Sequence, residues 1–245
     1  MLQIKHLTKT YGSTLAVDDL SFDVADGDIF GFIGSNGAGK TTTIKAIAGI
    51  HSFDGGEIII DGMSISSRPL DCKRVMAYIP DNPDIYEFMT GEAYINFIAN
   101  IYGVPQKTRL ELTEKYSKGL ELDEALASPV SSYSHGMKQK LTLIAAFVHQ
   151  PKLFLLDEPF VGLDPRAAFT LKEYMHELTA QGTSIFFSSH GLEVVQKLCN
   201  RIGIIKGGKL LECGPTEEIT GRKSLEDVFL ELTDDEPGKA ESGLQ

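Results

Sequence analysis

No stretch of this chain reaches the ~18 apolar residues that a membrane-crossing helix requires, so any membrane role is expected to come through a partner. The opening segment MLQIKHLTKTYG alternates polar and apolar residues and lacks the basic-then-apolar order of a secretory signal. Cysteine is scarce. Cys72, Cys199 and Cys213 form no CxxC and are odd in number, which points to reduced thiols in core or surface positions and to a cytosolic setting. Basic residues are in deficit, 23 Lys plus Arg against 34 Asp plus Glu, and the formal charge of −11 argues against tracking along a nucleic-acid backbone. No internal repeat or low-complexity block is present. What remains is ordinary globular usage, 42% hydrophobic and 23% charged over 245 residues, enough for one large domain or a core with a smaller subdomain.

The pattern of elements fits an α/β fold. Leu2 to Leu7, Leu20 to Val24 and Ile29 to Ile33 read as strands, with Asp26-Gly27 as a hairpin turn between the last two. A glycine-rich loop over 34–39 leads into a helix from Thr42 to Ile50. Strands are expected over Glu57 to Ile60 and Val75 to Ile79, the latter stopped by Pro80. From Tyr86 to about Gln150 the pattern is mainly helical, with Thr90 and Gly91-Glu92 as a start signal and Gly103 and Pro105 as a stop. A buried strand Leu153 to Leu156, a helix from Pro165 to Gly182 and a strand Ser184 to Phe187 follow. A short helix over Leu192 to Leu198, a hairpin turned by Gly207-Gly208 and a last helix over Leu225 to Leu232 complete the series. Alternation of strands and helices implies a mainly parallel sheet, with an N-terminal antiparallel β lobe and an inserted helical subdomain over about 86–150. The acidic stretch 233–245 reads as a solvated, mobile tail.

Two motifs carry chemistry. Gly34, Ser35, Asn36, Gly37, Ala38, Gly39, Lys40 and Thr41 fit GxxxxGK[ST] between a strand and a helix, the setting of a phosphate-cradling loop. Glycines let successive backbone N–H groups converge on the β- and γ-phosphates, the helix N-terminus adds positive potential, and Lys40 supplies a point charge. Thr41 can ligate Mg²⁺, and Thr42 extends the candidate binding set. The second motif is the apolar run Leu153 to Leu156 ending in Asp157 and Glu158, which places two carboxylates at the C-terminal edge of the sheet beside those phosphates. Asp157 is the candidate for Mg²⁺, directly or through its waters, and Glu158 the candidate general base for an attacking water.

With these motifs in place, the chain over about 1–232 resembles the nucleotide-binding subunits of ABC transporters, a P-loop NTPase core forming a single ABC ATPase domain. Tyr11 looks like that family's adenine-stacking aromatic residue. Tyr133-Ser134-His135-Gly136-Met137 looks like a variant of its LSGGQ signature, Gly162-Leu163-Asp164 like its D-loop, and His190 like its switch histidine, donating to a γ-phosphate oxygen. The resemblance implies ATP and Mg²⁺, and two cassettes, identical or mixed, meeting head to tail. Ser134 and the Gly136 N–H would then reach ATP held by the partner cassette. Ser134 is also a helix N-cap in its own right. Where the family usually has a Q-loop glutamine, this chain has Asp81, which could help hold Mg²⁺ or water, be replaced in that role by Asn82, or mark a different coupling to the membrane subunit.

The expected function is therefore ATP hydrolysis that powers an ABC transporter, of the exporter branch, from the cytoplasmic face of the cell membrane. The helical region would contact integral membrane subunits, with Pro83, Ile85, Tyr86, Phe88 and Met89 as an exposed apolar socket. A GTPase is disfavoured, since there is no NKxD and the only DxxG after the loop is Asp235 to Gly238. The alternative is a soluble ABC-type ATPase acting as a regulatory or mechanical module without a membrane partner.

Overall fold

A computed structural model describes residues 1–83 and 85–234. The chain begins with a long hairpin, β1 (Leu2–Tyr11) and β2 (Thr14–Val24), then β3 (Ile29–Ile33), α1 (Lys40–Ile47), β4 (Gly55–Ile60), β5 (Met63–Ser64), α2 (Pro69–Val75) and β6 (Met76–Ile79). Three helices follow, α3 (Gly91–Ile101), α4 (Gln106–Gly119) and α5 (His135–His149). The remainder is β7 (Leu153–Asp157), α6 (Pro165–Ala180), β8 (Ser184–Ser189), α7 (Leu192–Leu198), β9 (Arg201–Lys206), β10 (Lys209–Pro215), α8 (Thr216–Thr220) and α9 (Leu225–Asp234).

Two sheets result. An antiparallel sheet runs in the order β2-β1-β4-β5, and a second runs β10-β9-β3-β8-β7-β6, parallel throughout except for the antiparallel edge strand β10. Parallel strands are buried on both faces, and their side chains alternate between two cores. Phe30, Phe32, Leu153, Leu155 and Phe186 face the β lobe and α1, whereas Ile29, Ile33, Phe154, Leu156, Ile185 and Phe187 face the helices. On the first face Phe22 from the β lobe stacks on Phe30 and Phe186 at centroid distances of 5.3 and 5.7 Å, tying the two sheets together.

Ala25 to Asp28 turn the chain, but this is not a hairpin. β2 ends in one sheet and β3 begins in the other, so the Asp28 N–H bonds back to the Ala25 carbonyl without any pairing of the flanking strands. Gly207-Gly208 does turn a true hairpin, with φ of 55° and 83° as a two-residue loop requires. The first hairpin is longer than its hydrophobic pattern suggested, because the exposed residues Thr14 and Leu15 are drawn into pairing with Tyr11 and Thr10. Thr90 caps α3, its hydroxyl accepting from the Ala93 N–H at 3.2 Å. Helices α3, α4, α5 and α6 share one continuous core with the sheet face they cover, through Ile95, Tyr116, Phe147, Leu171 and Phe154. The tail expected over 233–245 falls, from residue 235, outside the described residues.

Candidate functional site

The loop after β3 is built from two close approaches. A Cβ at Gly34 would lie 2.4 Å from the Ile205 carbonyl oxygen, so only glycine lets the loop leave the sheet beside β9. Gly39, at φ 109°, occupies a left-handed conformation before the first residue of α1, and a Cβ there would meet the Ala16 carbonyl oxygen at 2.5 Å. The loop is thereby clamped between β2 and the helix it starts. Lys40, buried at the first turn of α1, folds its ammonium back across the loop and donates to the Gly34 and Ser35 carbonyls at 2.7 and 3.2 Å. Burial lowers its pKa, opposed by the charges of Glu158 and Asp157.

Facing the loop are carboxylates from the ends of two other strands. An open hollow of about 240 Å³ is lined by Ala16, Asn36, Gly37, Gly39, Lys40, Thr41, Thr42, Asp81 and Glu158. Asp157, last residue of β7, is 1% exposed. Its Oδ1 accepts from Ser188 Oγ at 2.5 Å, while its Oδ2 has no partner among the described residues. Burial raises the Asp157 pKa, the Ser188 hydrogen bond and the nearby Thr41 hydroxyl lower it, and the charges of Asp81 and Glu158 add upward pressure. Asp81 accepts at Oδ1 from the Asn82 N–H at 2.8 Å.

Glu158 stands at φ 49°, a conformation uncommon for a residue with a side chain and worth roughly 1–3 kcal/mol of strain. Two contacts hold it: its N–H donates to Ser188 Oγ at 3.1 Å, and its Oε2 lies 2.9 Å from His190 Nδ1. His190 follows the end of β8, which lies between β3 and β7, so loop, acids and histidine meet at one edge of the sheet. That edge, outside the carboxyl ends of parallel strands, is where ligands bind in such sheets.

Other candidates lie elsewhere. Ser134 caps α5, accepting from the Met137 N–H at 3.3 Å, and neither it nor Gly136 lines the hollow. A Cβ at Gly136 would meet the Gly162 carbonyl oxygen at 2.5 Å, and the His135 ring lies against Gly162 itself. Lys140, nearly buried, pairs with Asp164 at 2.8 Å. The signature-like segment is thus joined to residues 162–164 of its own chain rather than to Lys40. Tyr11, 43% exposed at the tip of the first hairpin, does not line the hollow either, although Ala16 of that hairpin does. Its hydroxyl bonds to His51 Nδ1 at 2.7 Å, and Lys9 Nζ stands 5.0 Å from its ring centroid.

The apolar socket is smaller than the sequence suggested. Pro83 and Ile85 are buried, because they turn inward to line a second cavity of about 210 Å³ with Tyr78, Tyr94, Tyr102 and His149, and Met89 is half-buried. Tyr86 and Phe88 do stand out, 49% and 83% exposed, and with Phe97 form an aromatic cluster at centroid distances of 5.7 and 5.6 Å.

Ser188 was not singled out from the sequence, yet it bridges Asp157 and the Glu158 backbone. Its one signal is a hydroxyl at the C-terminal end of a buried strand, two residues before His190. Among the described residues no group of three or more His, Cys, Asp or Glu could hold a metal by itself. The unpartnered Asp157 Oδ2 and the Thr41 hydroxyl are hard oxygen donors that suit Mg²⁺, which keeps waters and shares substrate phosphates rather than filling an all-protein cage.

Comparison with known proteins places the chain in a family. The family model described as ABC transporter matches residues 17–161. The Bacillus subtilis (strain 168) ABC-type transporter ATP-binding protein EcsA is 33% identical over 243 residues, covering 97% of this chain and 98% of its own. The linearmycin resistance ATP-binding protein LnrL of the same organism is 31% identical over 233 residues, covering 95% of this chain and 75% of its own. A solved structure described as the ATP-binding subunit of an ABC transporter superposes with a TM-score of 0.92 at 34% identity, covering 95% of this chain and 99% of that one.

Proposed function

The chain belongs to the ABC transporter family as an ATP-hydrolysing, ATP-binding subunit, and from that premise we propose that it drives an exporter from the cytoplasmic face of the membrane, docked on separate membrane subunits. The observation that carries the hydrolytic part of this reading is the placement of Glu158. Its carboxylate faces the hollow opposite Lys40, held by a strained backbone, by Ser188 and by His190. A carboxylate so fixed polarises a water beside a γ-phosphate held over the glycine loop, with Glu158 taking the proton and His190 and Lys40 meeting the charge that develops on phosphate. Thr41 and Asp157, with Asp81 at the rim, would hold Mg²⁺, which supplies charge neutralisation at the phosphates.

Ser134 and Gly136 complete a site only if a second cassette brings them to it, because in one chain Ser134 caps α5 and Gly136, in its first turn, lies against Gly162, both away from the hollow. We read the working unit as a head-to-tail pair closed by ATP and opened by hydrolysis, a population shift driven by the one ligand that distinguishes the two states. The exposed cluster of Tyr86, Phe88 and Phe97 supports contact with membrane subunits. The resistance role in the name of the relative LnrL supports export as the direction.

Glu158→Gln tests this reading. The variant should bind ATP normally, lose about 100-fold or more in turnover, and run as a dimer on size exclusion with ATP and Mg²⁺. From detergent-solubilised membranes it should co-purify with a polytopic protein in stoichiometric amount. Turnover at the wild-type rate would remove Glu158 as the base. Recovery with soluble assemblies, or with nothing, would favour the soluble ATPase module instead.

A further inference from the structure

The edge strand β6 and its neighbour β7 place an unused hydroxyl beside the nucleotide acids. Tyr78 of β6 pairs with Leu155 of β7. Met76, Tyr78, Leu153 and Leu155 belong to the face covered by α1, while Ala77, Ile79, Phe154 and Leu156 belong to the opposite face. Asp157, two residues beyond Leu155, returns by strand alternation to the face of Tyr78, a diagonal neighbour within reach of a long side chain. Tyr78 Oη is buried without a partner among the described residues, and so is Asp157 Oδ2. Thr41 approaches the same carboxylate from the first turn of α1.

A buried hydroxyl with no partner destabilises a folded chain relative to the bare ring, so folding alone would favour phenylalanine at this position. Burial, with the nearby charges of Asp157 and Asp81, pushes the phenol pKa up. Tyr78 therefore keeps its proton and faces two acceptor-only carboxylates as a donor. A group of this kind beside a metal-holding carboxylate is the usual means by which a ligand is oriented from behind.

We propose that Tyr78 is a positioning residue for the divalent cation that accompanies the nucleotide, its hydroxyl donating through one bridging water to Asp157 Oδ2 and holding that oxygen toward Mg²⁺. This rests on the reading of Asp157 as the residue that holds Mg²⁺. The phenol touches neither nucleotide nor cation, so its effect appears in metal affinity and not in nucleotide binding measured without metal.

The test uses the full chain with a non-hydrolysable ATP analogue and Mn²⁺, bound metal being read by electron paramagnetic resonance. Tyr78→Phe should weaken Mn²⁺ about tenfold, the lower end of what loss of such a partner costs. It should leave affinity for the analogue in EDTA unchanged and nucleotide-free thermal stability equal or higher. Tyr78→Met, a second replacement without a hydroxyl, should weaken Mn²⁺ likewise. Mn²⁺ affinity within about twofold of wild type in either folded variant would overturn the proposal. Asp157→Asn separates the two levels. If it too leaves Mn²⁺ affinity unchanged, the reading of the metal site falls, whereas weakening by Asp157→Asn alone removes only Tyr78.

Discussion

At the scale of single residues, the nucleotide edge is assembled at the expense of stability. Asp157 is nearly buried with one oxygen unpaired, Glu158 sits in a left-handed conformation, and Lys40 is buried with only backbone carbonyls as hydrogen-bond partners. Each feature disfavours the nucleotide-free fold and suits a charged ligand. Because burial raises the Asp157 pKa above its ordinary 3.8, the folded chain holds that proton more tightly than the unfolded chain. The contribution of Asp157 to nucleotide-free stability is therefore full below that ordinary value and is lost as pH rises through the raised one. Asp157→Asn should flatten this dependence and, at neutral pH, stabilise the nucleotide-free chain by about 1 kcal/mol, roughly 2–4 °C in Tm. The same variant should lose ATP turnover by about 100-fold or more. Calorimetric scans across acid and neutral pH check the first part, and a fall in Tm at neutral pH would contradict it.

At the scale of elements, the glycine loop depends on its contact with the first hairpin as much as on its own sequence. Gly37 and Gly39 both have positive φ, 79° and 109°, but only at Gly39 would a Cβ meet backbone, the Ala16 carbonyl oxygen at 2.5 Å. Gly37→Ala should therefore show backbone strain alone, about 1–2 kcal/mol. Gly39→Ala adds a collision between the P-loop and β2, and should lower Tm further and weaken ATP at least tenfold, a contrast visible in paired melting and binding curves. Equal effects in the two variants would show that the hairpin contact does not matter. Helix α5 carries an independent local signal, the Ser134 cap at its N-terminus. Ser134→Ala should cost about 1 kcal/mol of stability through the lost cap, and in the proposed pair it should also weaken ATP-dependent dimerisation.

At the scale of the whole molecule, the described surface offers separate faces for separate partners. The P-loop and the signature-like segment occupy different regions of one chain, and the aromatic cluster over Tyr86, Phe88 and Phe97 is distinct from the lining of the nucleotide hollow. Phe88, 83% exposed, contributes little to the fold. Phe88→Asp should keep Tm within about 1–2 °C of wild type and abolish co-purification with a membrane protein. Retention of that partner at wild-type stoichiometry would move the docking surface elsewhere.

How much could be read in advance follows from how local each signal is. The glycine loop before a helix, the apolar run before Asp157 and Glu158, and the caps at Thr90 and Ser134 were legible because glycine conformation, strand burial and capping are short-range properties. The same holds for the alternation of strands and helices that implies a parallel sheet. The Ala25 to Asp28 turn misled, since a turn records a reversal and not which sheet receives the next strand. Pro83, Ile85 and Met89 misled in a related way: an apolar residue in a loop is compatible with surface or core until its neighbours are known. Strand order was beyond local reading, and with it the meeting of Lys40, Asp81, Asp157, Glu158 and Ser188 from four separate stretches of chain. Sequence by itself determined the chemical groups and the elements that carry them. Tertiary structure alone decided which groups meet, because sheet register and burial depend on contacts between residues that lie far apart in the chain.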